Sequence, residues 1–247
     1  MRSLLLFLLL GVAASAVADP LTTATLTLES VGGPNSALYP NGGPNDDGHV
    51  YVYPYYFSLN GNTNNLIALL CDDYSHDVTY NETWTADVYT LSDIIFNHKG
   101  QFQSATTQTG LARNQAYEEA AWLFTQMPTD PTSALATNIN FAIWDLFSSS
   151  AVLAHQADSI GTAAAGWDSA ANTALFGLGD AAVVNMFPNI RFYMPDLNFP
   201  ITGNSANWPD NGLPQEYIGQ VPEPGTLMLL GSGLLGLARL ARRKFPT

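Results

Sequence analysis

The chain has 247 residues and a formal net charge of −13 at pH 7. Three basic and twenty acidic residues lie between positions 19 and 220, so this stretch alone carries a net charge of −17 and is long enough for one large domain or two small ones. This charge excludes nucleic acid and anionic lipid surfaces as nonspecific partners, because proteins bind both polyanions through Lys and Arg.

The N-terminal segment has the three parts of a secretory signal peptide, residues 1–18. Arg2 supplies the positive charge, an apolar stretch follows it, and Ala16 and Ala18 form the small-residue cleavage motif. The apolar stretch is shorter than the roughly 20 residues that a membrane span needs, which favours a cleaved signal over an anchor helix. We therefore expect the secretion translocon and signal peptidase as partners.

The residues after the signal alternate between polar and apolar in the manner of β-strands. Strands are predicted at residues 21–30, 50–59, 66–74, 82–89 and 189–194. The segments 31–48 and 60–65 are rich in Gly, Pro or Asn, which predicts a loop and a turn. Pro54 predicts an edge position or a bulge within the second strand.

Between the fourth and fifth predicted strands, the hydrophobic period changes to that of a helix. Helices are predicted at residues 92–96, 114–127 and 133–148, with further helical pieces across 151–185. Ser92 is the expected cap of the first helix, and Thr132 or Ser133 that of the third. Breaks in the last region are expected near Gly161 and at residues 177–179.

The order of these elements predicts an α+β fold for an exported domain at residues 19–194, with a sheet-like or barrel-like N-terminal part and a helical insertion. Residues 195–220 are rich in Pro, Asn and Gly and are predicted to be a spacer. The spacer would connect this domain to a C-terminal segment at residues 221–247.

The C-terminal segment begins with Pro222, Glu223 and Pro224 and continues with an apolar stretch, residues 225–238. The basic residues that follow are Arg239, Arg242, Arg243 and Lys244. Basic clusters stay on the cytoplasmic side of a membrane, so this pattern predicts a single membrane helix with the domain outside. The apolar stretch is short for a span, and the long side chain of Arg239 can reach the headgroups.

A Pro-Glu-Pro motif, a Gly/Leu-rich stretch and an Arg-rich end, in this order, resemble the PEP-CTERM sorting signal of bacteria. The resemblance implies that an exosortase, a membrane transpeptidase, recognises the motif and processes the tail. It further implies an exported protein, anchored transiently by the C-terminal helix and then located at the cell surface or in the extracellular matrix. Members of this family are linked to exopolysaccharide and biofilms, so extracellular polysaccharide is an expected partner.

Cys71 is the only cysteine, so an intrachain disulfide cannot form. An apolar strand precedes it, and two helix motifs, residues 117–121 and 140–144, follow it. This order resembles the thioester domain of bacterial surface adhesins, over residues 60–150. The resemblance implies a bond between the Cys71 thiol and the Asn140 carboxamide carbon that surface amines would attack. The family has Gln where Asn140 stands, one methylene longer, so Cys71 as a plain buried residue is the alternative.

Five aspartates at strand ends or in loops are candidate calcium ligands, because hard oxygen donors suit this ion. They are Asp46, Asp47, Asp72, Asp73 and Asp77. The chain has no EF-hand spacing, so solvated carboxylates are the alternative, and no other cofactor is predicted. The four histidines show no zinc-site spacing.

Three classes of function remain open. The preferred class is a non-enzymatic surface or matrix protein with an adhesive, exopolysaccharide-associated role. The second is a covalent thioester-type adhesin that uses Cys71 and Asn140. The third is a secreted polysaccharide hydrolase, for which Glu118 and Glu119 are the available carboxylates. Neighbouring residues on a helix do not face each other, which counts against this pair.

Overall fold

A computed structural model of the chain describes residues 23–31, 36–38, 49–74, 76, 78–104, 113–130, 133–147, 159–196 and 214–220. These residues belong to one compact unit, Leu21–Val221. The predicted signal peptide and the C-terminal segment lie outside the described residues, as do Ala16, Ala18 and the tail motif. In the part of the chain that the structure describes, no helix is both long and apolar enough to cross a membrane.

Six antiparallel strands form a closed barrel, and two more form a small separate sheet. The strands are β1 (Thr23–Val31), β2 (Ser36–Leu38), β3 (His49–Tyr51), β4 (Tyr55–Leu59), β5 (Asn62–Cys71), β6 (Thr83–Thr90), β7 (Ile190–Pro195) and β8 (Tyr217–Gln220). Around the barrel the order is β1-β4-β5-β8-β7-β6, and β2 pairs with β3. The predicted barrel is confirmed, but it is not confined to the N-terminal part, because β7 and β8 complete it.

Strand β8 lies inside the segment predicted to be a spacer, residues 195–220. It pairs with β7 from Ile190↔Gln220 to Tyr193↔Tyr217 and with β5 at Leu70↔Ile218. The spacer prediction is therefore wrong for these last residues. A four-residue strand that contains Gly shows no clear alternation, so pairing with two neighbouring strands decides its structure rather than local propensity.

The hairpin between β4 and β5 turns at Asn60 and Gly61, whose φ angles are 52° and 75°. Two consecutive residues with positive φ are typical of the type I′ turn, which joins antiparallel strands closely. The predicted turn at residues 60–65 is therefore too long, since β5 already begins at Asn62. The strand predicted at 50–59 is divided into β3 and β4 at Pro54, which has no N–H to donate to a ladder.

The segment between β6 and β7 forms the predicted helical insertion. Its described helices are α1 (Leu91–Asn97), α2 (Arg113–Thr125), α3 (Ala134–Phe147), α4 (Ser159–Leu175) and α5 (Asp180–Met186). A 3-10 helix at Gln101–Ser104 follows α1. Helix α4 begins two residues before Gly161, where a break was expected, and the break at residues 177–179 is confirmed.

The N-cap of helix α1 lies two residues before the predicted cap. Thr90 Oγ1 accepts from the N–H of Asp93 at 3.1 Å, and Asp93 Oδ2 accepts from the N–H of Thr90 at 2.9 Å. This reciprocal capping box makes Thr90 the N-cap instead of Ser92. Ser133 caps α3 as expected, since its Oγ accepts from the N–H of Ala136 at 3.3 Å.

One continuous core joins the barrel to the helices. Inside the barrel, the Phe57 ring lies 4.8 Å from the Tyr217 ring and 5.5 Å from the Trp84 ring. On the helical side, the Tyr117 ring of α2 lies 5.3 Å from Phe192 of β7 and 4.9 Å from Phe147 of α3. Aromatic packing of this kind fixes the helices against β7, where the barrel closes.

Candidate functional site

Cys71 and Asn140, the predicted thioester pair, lie in contact where β5 ends. Both side chains are fully buried. The Asn140 Nδ2 donates to the backbone carbonyl of Cys71 at 3.2 Å, and its Oδ1 accepts from the N–H of Tyr53 at 2.8 Å. The Cys71 thiol donates to the backbone carbonyl of Asp73 at 3.1 Å. The carboxamide thus connects α3 to the end of β5 and to the segment before β4.

The electrostatic surroundings of Cys71 favour the neutral thiol. Burial raises the pKa of this thiol well above its usual value, and the charges of Asp73 and Asp72 raise it further. Only the thiolate is a good nucleophile. In this geometry the oxygen and the nitrogen of the Asn140 carboxamide both form hydrogen bonds with backbone groups. These contacts give Asn140 a structural role. The crosslink between the two residues stays a prediction.

A buried carboxyl pair, Asp72 and Glu216, lies next to Cys71 where β5 meets β8. Both residues are fully buried, and the N–H of Asp72 donates to the backbone carbonyl of Glu216 at 3.3 Å. Glu216 Oε2 accepts from the N–H of Gln101 at 3.2 Å and from the Tyr117 hydroxyl at 3.4 Å. Burial raises the pKa of Asp72 to about 8 and that of Glu216 well above its usual value. Asp72 Oδ1 and Oδ2 and Glu216 Oε1 have no hydrogen-bond partner among the described residues, so ionised carboxylates would be costly here and the pair retains a proton at neutral pH.

The calcium candidates are only partly within the described residues. Asp73 is buried and its Oδ2 contacts His76 Nδ1 at 2.6 Å and accepts from Gln101 Nε2 at 3.0 Å. Asp72 belongs to the carboxyl pair. The other three candidates, Asp46, Asp47 and Asp77, lie outside the described residues. Among the residues that are described, no group of three or more His, Cys, Asp or Glu side chains is placed to hold a metal ion.

A surface cleft of about 750 Å³ lies on the helical side of the molecule. It is formed by the C-terminal ends of α1 and α4 and by residues from α2 and the start of α5. Its polar lining consists of His98, Asn114, Gln115, Glu118, Asn172 and Asp180. Phe176 and Leu178, which also line it, are 84% and 43% exposed. The cleft therefore combines an exposed aromatic ring with amide and carboxylate groups.

Glu118 is a buried carboxyl group that lines this cleft. Its side chain is only 7% exposed, and its Oε1 has no hydrogen-bond partner among the described residues. Burial raises the pKa of Glu118 to about 7, and the nearby carboxylates of Asp180 and Glu119 raise it in the same direction. An unpartnered buried oxygen of this kind is a group that a ligand donor can satisfy.

Glu119, the neighbour of Glu118 on α2, orients two amides that line the cleft. Its Oε1 accepts from Gln115 Nε2 at 2.8 Å and from Asn172 Nδ2 at 3.3 Å. The Asn114 amide likewise donates to Asp180 Oδ2 at 3.0 Å. These bonds hold amide side chains from α2 and α4 in fixed orientations at the cleft. The sequence indicated Glu118 and Glu119 only as adjacent carboxylates and gave no signal for the cleft, whose parts are far apart in the chain.

Comparison with known proteins identifies the tail. Residues 220–244 match the family model of the PEP-CTERM protein-sorting motif. The chain carries a PEP-CTERM sorting signal. The predicted motif residues, from Pro222 to Lys244, all lie within the match, which begins at the last residue of β8. The signal identifies an exported, cell-surface protein that an exosortase processes.

The comparisons give the body of this PEP-CTERM protein no further relative. No curated protein and no solved structure matches the chain. The resemblance of residues 60–150 to thioester domains is therefore unsupported. Any function of the barrel and the helical insertion has to be inferred from their own geometry.

Proposed function

We propose that this exported, exosortase-processed protein binds extracellular polysaccharide through the cleft between α1, α2, α4 and α5. Its role at the surface would be adhesive rather than catalytic. The observation that carries the proposal is the exposed ring of Phe176 beside oriented amides and a buried carboxyl group. Aromatic faces pack against the C–H faces of sugar rings, while amides and carboxylates bind sugar hydroxyls.

The proposal predicts that Phe176→Ala weakens binding of glycan oligomers by about tenfold or more, as removal of an exposed aromatic anchor does. Because the ring is 84% exposed, the substitution should leave the melting temperature unchanged. Isothermal titration of the body, residues 19–220, with neutral and charged oligosaccharides measures both affinity and stoichiometry.

A matched control is Phe96→Ala, since Phe96 is 53% exposed on α1 but does not line the cleft. This variant should bind like the unmodified body. If no oligosaccharide binds, or if both variants lose affinity equally, glycan binding at this cleft is wrong.

A polysaccharide hydrolase is the second candidate, because the pKa of Glu118 is near 7 and Asp180 lies in the same cleft. Glycosidases pair a general acid of raised pKa with a second carboxylate. We expect no release of reducing ends from polysaccharides that bind. Release that disappears in both Glu118→Gln and Asp180→Asn would make the protein an enzyme instead.

The covalent adhesin is the third candidate, favoured only by the contact between Asn140 and the backbone of Cys71. Intact mass after denaturation, with and without iodoacetamide, separates it from the others. We expect the full mass and one alkylated thiol. A mass lower by one ammonia, with a thiol that reacts only after an amine is added, would establish the thioester.

A further inference from the structure

The cleft has negative groups on two of the elements that form it. Glu118 projects from α2, and Asp180 begins α5. The other titratable lining residue is His98, which follows α1, and the exposed Lys99 is next to it in the chain. No described charged residue of α4 lines the cleft. The cleft is therefore acidic within a body whose net charge is already −17.

This charge distribution restricts the sugars that fit. A uronic acid or a sulfated sugar would place its anion close to the carboxyl groups of Glu118 and Asp180, where like charges repel. A neutral sugar would offer only hydroxyl donors to the buried Glu118 oxygen. An ammonium group would make a charge-assisted hydrogen bond there, which is about twice as strong as a neutral one.

We propose that the cleft selects polysaccharides with free amino groups, such as deacetylated hexosamine polymers. The ammonium of one sugar binds the Glu118 carboxylate with Asp180 nearby, and the pyranose ring packs on Phe176. This inference rests on the proposed function of glycan binding at the same cleft and adds the class of sugar.

Binding of an ammonium at Glu118 is linked to proton release. The pKa of the free Glu118 carboxyl is about 7, so at pH 6 this group is mostly protonated. A cation beside it favours the ionised form and lowers the pKa, so the proton leaves when the ligand binds. The acetylated sugar carries no charge and should leave the proton in place.

The experiment compares a glucosamine tetramer with an N-acetylglucosamine tetramer by calorimetry at pH 6. Both ligands share the same backbone, and only the amino tetramer is charged. We expect the amino tetramer to bind about tenfold more tightly, since a charge-assisted bond replaces a neutral one. Titrations in two buffers of different ionisation enthalpy should show release of up to one proton for the amino tetramer and none for the acetylated tetramer.

Glu118→Gln keeps the shape of the protonated side chain and removes its charge. It should abolish both the preference for the amino tetramer and the proton release, while binding of the acetylated tetramer is retained. Glu29→Gln on β1 changes the net charge of the body by the same amount outside the cleft, and it should keep both properties.

The outcomes separate the two proposals. Equal affinity for both tetramers, each weakened by Phe176→Ala, would overturn amino-sugar selection and leave glycan binding intact. Absence of binding to either tetramer, and to the other oligosaccharides, would overturn glycan binding itself. If trilysine bound as tightly as the amino tetramer and Phe176→Ala had no effect, the cleft would be a simple cation site and the sugar class would be wrong.

Discussion

At the scale of single residues, this protein contains fully buried and half-buried carboxyl groups that keep their protons. Burial raises the pKa of Asp72 to about 8 and that of Asp168 to about 9, and Glu216 shifts in the same direction. Because the unfolded chain ionises these groups near pH 4, the folded state binds more protons between pH 4 and the raised pKa values. Stability therefore decreases as pH rises through this window.

We predict that the body melts several degrees lower at pH 8 than at pH 5. Asp72→Asn should reduce this difference and raise the melting temperature at pH 8, because an amide has the shape of the protonated carboxyl and no charge to bury. Thermal denaturation at pH 5, 6, 7 and 8 measures the slope for both proteins. Glu29→Gln, a substitution outside the carboxyl pair, should keep the slope of the unmodified body. If Asp72→Asn also kept that slope, Asp72 would not be a source of the pH dependence.

The sequence indicated some of these residues and missed others for a physical reason. Cys71 and Asn140 could be paired only through the resemblance of their motifs to thioester domains, and in the structure the Asn140 side chain contacts the backbone of Cys71. Glu216 and Gln101 had no local signal. They reach the same cluster from segments 115 residues apart, and their burial depends on the closure of the barrel.

At the scale of elements, two glycines show different constraints on the barrel. Gly61 needs positive φ in the β4–β5 turn, and nothing lies within 4 Å of the place where a Cβ would stand. Gly219 in β8 has a crowded site, where a Cβ would overlap Leu69 Cδ2 and lie 3.2 Å from Tyr193 Cε2. The first glycine is required by backbone conformation, and the second by packing inside the barrel.

We predict that Gly61→Ala costs about 1 kcal/mol of unfolding free energy through backbone strain alone. Gly219→Ala should cost more, about 2–3 kcal/mol, because the buried Leu69 has little room to move. Urea denaturation of both variants measures the difference. An equal cost for both would show that the core beside β8 relaxes freely.

Elements with their own periodic pattern could be predicted from sequence, whereas those defined by their neighbours could not. Strands β1 and β6 and helices α2 and α3 have clear alternation or helical spacing, and their predicted positions are correct within a few residues. The three-residue strands β2 and β3 and the four-residue β8 are too short to show a period. The cleft escaped prediction for a related reason, since four helices contribute to it.

At the scale of the whole molecule, the folded domain ends where the sorting signal begins. Tyr217 and Ile218 are fully buried in the barrel, and the motif match starts at Gln220. The domain boundary predicted at residue 194 therefore has to move to Val221, where the compact unit ends.

Two truncations test this boundary. A chain that ends at Gln220 should fold and be released into the medium, because it keeps the barrel and lacks the sorting signal. A chain that ends at Leu213 lacks β8 and should be degraded, since loss of buried Tyr217 and Ile218 leaves the barrel open. Immunoblots of cell and medium fractions, with limited proteolysis, measure both outcomes. Retention of the first variant on the cell would contradict the role of the tail.

The position of β8 also sets an order of events during export. A polypeptide leaves the translocon from its N-terminus onward, so β1, β4, β5, β6 and β7 are outside before β8 follows them. The seam between β5 and β7 stays open until then, because among the described strands only β8 pairs with both. The barrel therefore closes only after the residues at the start of the sorting signal have been exported.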